Sequence, residues 1–143
     1  MAGEANEAAR ILALCEQNQL RAFEIIQNQL GVLVLRTQVM LSLSGIVITV
    51  TGFSGKAIAE TSPLARGSVV LGLFLVLAAA AFAVGGVLRL RWLTEALGDD
   101  VQATLVRGLE IRNEKARFLA TALTLFVTGF AAYCLGVAQL LLA

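Results

Sequence analysis

The sequence contains no histidine among its 143 residues. Every His-based triad, imidazole base and haem His ligand is therefore excluded, and with only two distant cysteines so is a zinc site. Cysteine is scarce too, and Cys15 and Cys134 lie near opposite ends of the chain, so no disulfide scaffold or paired metal-binding thiolates are expected. Charge is sparse, at 15% of residues, and nearly balanced, with 11 basic against 10 acidic side chains and a net charge of +1. That balance leaves no electrostatic footprint for nucleic acid. With one proline, Pro63, long stretches are free of the strongest helix breaker. What fills the chain instead is apolar: 58% hydrophobic residues, against the ~45–50% of a soluble domain, place it in the membrane class.

Three runs lack charge altogether. Thr37 to Gly55 spans 19 residues, Gly67 to Leu88 spans 22, and Phe118 to Ala143 spans 26. About 20 residues at 1.5 Å each cross the ~30 Å hydrocarbon layer, so each run reads as a transmembrane helix. The expected fold is an all-α integral membrane protein. Its parts are a cytoplasmic helix over 1–36, a first span over 37–55, an external loop over 56–66, and a second span over 67–88. A cytoplasmic helical segment over 89–117 and a third span over 118–143 follow. Residues 1–29 carry Glu4, Glu7, Glu16 and Glu24 and no basic-then-apolar order, so they do not read as a signal peptide. Nine of the 11 basic residues fall in the 1–36 and 89–117 segments, with Lys56 and Arg66 on the other side. The excess of positive charge predicts a cytoplasmic N-terminus and an external C-terminus, in a bacterial inner membrane, with Trp92 as an interfacial anchor.

From Glu4 to Leu35 the residues are mostly good helix formers, which predicts one long helix continuous with the first span. Leu12, Gln19, Phe23, Ile26, Leu30 and Leu33 recur at heptad-like spacing, with Glu16 and Gln19 as a polar layer. Two readings are open: a coiled-coil neck joining protomers, or an amphipathic helix packed on the same protomer's 89–117 segment. In that segment Gly98 reads as a break, with Asp99 or Asp100 capping a helix whose Val101, Leu105 and Leu109 share a face.

No span carries an ionisable residue, so proton relays and ion-coupled transport lack their usual machinery. The first span is instead polar. Gln38, Ser42, Gly45, Thr49 and Gly52 step by four and three along one face and form a candidate pore lining. Val39, Leu43, Ile46 and Val50 are candidate apolar gating rings. Ala81 and Gly85 in the second span, and Thr124, Thr128, Ala132 and Gly136 in the third, offer small surfaces for helix packing. Hydroxyls gain nothing from hydrocarbon, so the first span should sit inside an assembly. The expectation is a small homo-oligomeric protein of the lipid bilayer, a candidate ion channel around that span. The alternative is a structural or accessory subunit of a larger membrane complex that docks through its small-residue faces and cytoplasmic helix. Scattered carboxylates such as Asp99, Asp100, Glu110 and Glu114 do not make an enzyme, and neither a cofactor nor a metal site is expected.

Overall fold

The structure, a computed structural model, describes residues 2–16, 18–60, 62–88 and 101–142. It contains four helices: α1 (Ala2–Leu14), α2 (Gln19–Ala59), α3 (Pro63–Gly86) and α4 (Val101–Leu142). The described residues are all helix and short connections, without strand, and α2, α3 and α4 are each long and apolar enough to cross a membrane. Trp92 and the expected break at Gly98, Asp99 and Asp100 lie outside the described residues.

Local chemistry sets the helix starts. Asn18 accepts a hydrogen bond from the Arg21 backbone N–H at 3.3 Å and caps α2. Ser62 accepts one from the Ala65 N–H, also at 3.3 Å, with Pro63 at the first helical position, where its missing N–H costs nothing.

The expected unbroken helix from Glu4 into the first span is corrected here: α1 ends at Leu14 and α2 begins at Gln19. Between them Glu16 adopts φ 51°, the left-handed region that a residue with a Cβ enters at a cost of about 1 kcal/mol. The reversal is closed by the Asn18 N–H donating to the Cys15 carbonyl at 2.8 Å. It is offset by burial. Folding α1 back packs Ala8 and Cys15 against Ala22 and Ile26 of α2 and Leu105 and Leu109 of α4, with Ile11, Leu12, Phe23 and Leu30 around them. A straight helix would leave these α1 residues in water; small Ala8 and Cys15 are buried and Ile11 and Leu12 half-buried, and at roughly 0.8 kcal/mol per buried methylene their sum exceeds the cost of the turn.

Residues 101–117, by contrast, are continuous with the third span, because α4 runs unbroken for 42 residues. Only Gly108 interrupts its helix-forming composition there, and a change from polar to apolar residues does not interrupt helical hydrogen bonding. At 1.5 Å per residue α2 and α4 are about 60 Å long, twice the hydrocarbon thickness. Their N-terminal halves extend beyond the apolar runs on the same side and form a three-helix cluster with α1.

Within the apolar region α3 and α4 run antiparallel and nearly touch. A Cβ on Gly72 would stand 2.6 Å from the Gly129 carbonyl oxygen and from the Tyr133 nitrogen. Gly136 fits equally closely over the Ala65 carbonyl and Val69. Ala65, Val69, Val76, Ala79 and Ala83 of α3 are buried along this seam, facing Ala122, Phe126 and Tyr133 of α4. Only glycine lets the backbones approach this far.

Candidate functional site on the outer face of α2

The first span distributes its polar residues over two faces, and the fold treats them differently. Thr37, Met40, Ser44 and Val47 are buried, and with half-buried Thr51 they repeat at three- and four-residue steps, with buried Ile58 two turns further on, as the seam toward α3 and α4. Gln38, Ser42, Gly45, Thr49 and Gly52 are all exposed on the protomer surface. At 100° per residue this second stripe lies about 140° around α2 from the buried seam. The protomer covers one hydroxyl-bearing face of the helix and leaves the other bare.

The hydroxyls are internally satisfied on both faces. Ser42 Oγ donates to the Gln38 carbonyl at 3.0 Å and Thr49 Oγ1 to the Gly45 carbonyl at 2.8 Å. Thr37, Ser44 and Thr51 do the same to Leu33, Met40 and Val47. Each hydroxyl has one proton and two lone pairs, so after this donation the outer stripe presents acceptor oxygens. Gly45 and Gly52 would meet nothing within 4 Å if given a Cβ, so neither is required for packing inside the protomer.

The apolar residues Val39, Leu43, Ile46 and Val50 are exposed but lie on a different flank of α2 from the stripe, and Val39 and Leu43 line a groove beside α4. One lumen lined by the stripe does not take in this row as its constriction. Ala81 and Gly85 are exposed on α3, as are Thr124 and Thr128 on α4, where both hydroxyls donate to carbonyls four residues back. Ala132 is half-buried, and Gly136 sits in the α3–α4 seam. Of the heptad-like residues, Ile26 is buried, Leu12, Phe23, Leu30 and Leu33 are half-buried, and Gln19 is exposed. Leu12, Phe23, Ile26 and Leu30 belong to the cluster that α1 and α4 complete within one protomer.

Sequence reasoning missed the polar node that ties this cluster together. Arg112 on α4 forms a forked ion pair with Glu7 on α1, Nη1 to Oε1 at 2.7 Å and Nη2 to Oε2 at 3.0 Å. It also donates to Gln29 Oε1 on α2 at 2.8 Å and to Asn113 Oδ1. The guanidinium thereby joins all three helices, and its hydrogen bond holds the Glu7 carboxyl below its ordinary pKa. Nearby, Lys115 Nζ donates to the Val87 carbonyl at 2.9 Å, placing a cation at the C-terminal end of α3 where the helix dipole favours it. A charge count alone reads Arg112 and Lys115 as topology determinants; long-range partners like Glu7 leave no spacing signal.

Among the described residues no group of three or more Cys, Asp and Glu side chains is placed to hold a metal ion. Comparison with protein-family models, with curated proteins and with solved structures finds no match.

Proposed function

We propose that the chain is the subunit of a homo-oligomeric inner-membrane protein in which the outer stripe of α2 from several copies surrounds a central axis and forms a pathway for small cations. The single observation that carries this reading is the bare stripe Gln38, Ser42, Gly45, Thr49 and Gly52, opposite a buried face of the same helix. A helix so polar is better placed among protein neighbours than in lipid, and three helices enclose no lumen by themselves. Because the Ser42 and Thr49 protons are held by the helix's own carbonyls, the oxygens turned outward are acceptors, which suits cations rather than anions. The orientation follows the basic residues, with the α1 cluster cytoplasmic and the C-terminus external. The proposed role is non-enzymatic.

An accessory subunit is the second reading, favoured by the same self-satisfied hydroxyls, since such a stripe is also a smooth packing surface for a foreign helix. Conductance of the purified chain in planar bilayers separates the two. The pathway reading expects cation-selective currents that fall at least several-fold in Ser42→Leu and Thr49→Leu. Absence of current from the purified oligomer, or current indifferent to both substitutions, overturns it.

A further inference from the structure

On the opposite flank of α2 from the polar stripe, a groove of about 450 Å³ runs between α2 and α4. Leu35, Val39 and Leu43 form its α2 wall, Leu123 and Phe126 its α4 wall, and Arg36 is its one charged lining residue. Arg36 immediately precedes the uncharged run, so the groove leads from a guanidinium at the membrane boundary into the hydrocarbon. Among the described residues Arg36 has no hydrogen-bond or ion-pair partner, whereas Arg112 and Lys115 are both engaged. We propose that this groove holds an acyl chain of an anionic phospholipid whose phosphate pairs with Arg36.

The apolar wall alone selects nothing, because lipid tails are as apolar as leucine and gain little by moving from bulk lipid to protein. Selectivity has to come from the headgroup. Guanidinium and phosphate match in geometry, forming two parallel charge-assisted bonds, and their attraction is stronger at the interface than in water. A second copy of the chain is a poorer occupant. The residues from Ile25 to Ala59 of α2, all of α3, and α4 beyond Glu114 carry no carboxylate, so another copy's spans bring no anion to Arg36. Val39 and Leu43 lie about 120° around α2 from the polar stripe, so the groove and the stripe are separate surfaces, and lipid retention is read without reference to conductance.

The test is native mass spectrometry of the full chain released from nanodiscs of phosphatidylcholine containing a minority of phosphatidylglycerol. The wild-type protein is expected to retain phosphatidylglycerol preferentially. Arg36→Gln should reduce that retention on the order of tenfold, the loss of a charge-assisted contact. Leu43→Trp, which fills the groove, should release both lipids, and Val39→Trp gives the same reading if the first variant does not accumulate. Arg107→Gln, an exposed cation outside the groove, should leave the preference intact. The proposal fails if the wild type shows no headgroup preference, or if the preference survives Arg36→Gln or is lost equally in Arg107→Gln. It fails also if cysteines introduced at Leu43 cross-link two copies, which would put protein in the groove.

Discussion

Replacing Gly72 by alanine tests the closest contact in the fold. The added Cβ would stand 2.6 Å from the Gly129 oxygen and the Tyr133 nitrogen and 2.9 Å from the Tyr133 Cα, against the 3.4–4 Å of ordinary contact. All three are backbone atoms, so no side chain can turn aside, and the helices must separate by about 1 Å. A gap of that size forfeits a quarter to a half of each dispersion contact along the seam, and overpacking of this kind costs about 1–3 kcal/mol. Alanine's helix propensity returns up to ~1 kcal/mol, which leaves a net loss of about 1 kcal/mol against wild type and about 2 kcal/mol against a glycine-to-alanine change that meets no clash. Gly85→Ala is the control, because its Cβ meets nothing within 4 Å, and it should change stability by less than ~1 kcal/mol. The assay follows the reactivity of a single cysteine introduced at Val76, which is fully buried between the helices, as SDS is titrated into detergent micelles. Gly129→Ala should behave like Gly72→Ala. The double variant should cost less than their sum, since one separation relieves both clashes. Equal stability of Gly72→Ala and Gly85→Ala would refute the close-packed seam.

Arg112→Ala leaves Glu7, Gln29 and Asn113 without their shared donor, and should destabilise the α1 cluster by about 1–3 kcal/mol, read as faster amide exchange over 2–16 and in the N-terminal part of α2. Glu7's folded-state pKa is depressed, so its contribution is present above the ordinary carboxylate value and is lost as pH falls through the lowered folded value. Release of α1 on acidification, followed by the mobility of a spin label at Arg10, should accordingly be weakened in Glu7→Gln, which lacks that titration. Glu16→Gly removes the Cβ strain at φ 51° and should stabilise the α1–α2 turn by a few tenths to about 1 kcal/mol, whereas Glu16→Val should loosen it, both read by exchange at Cys15 and Asn18. Lys115→Met should raise exchange at the last turn of α3 through loss of the bond to Val87.

The uncharged runs made three membrane-length helices legible, because exclusion of charge from hydrocarbon is a property of composition and length alone. The run from Thr37 to Gly55 lies wholly within α2, whereas α3 starts at Pro63, inside the expected loop over 56–66, where the Ser62 cap and Pro63 set the start that the charge pattern did not show. The break at Cys15–Asn18 was not legible, because its left-handed residue is a glutamate, and the gain that offsets it comes from Leu105 and Leu109, far along the chain. Asn18 was a weak local signal, a capping residue in a helix-forming stretch that also holds Asn6 and Asn28, both of which lie inside helices. The α3–α4 contact had a signal at a spacing other than four. Ala65, Gly72, Ala79 and Gly86 recur every seven residues on α3, as do Ala122, Gly129 and Gly136 on α4. A seven-residue repeat of small residues brings helices together over several turns, where a single small pair does not. The outer stripe of α2 was legible as a pattern, but its exposure was not, because periodicity identifies faces without saying which one the protomer covers.

Native mass spectrometry of the chain in nanodiscs, combined with oxidative cross-linking of Thr49→Cys in a background lacking Cys15 and Cys134, tests the central claim most directly. Assembly through the outer stripe predicts a homo-oligomer of at least four copies, joined by cross-links at Thr49 and not at Ser44, which is buried within the protomer. A monomer, or an oligomer in which Thr49→Cys remains free while other faces cross-link, would contradict it.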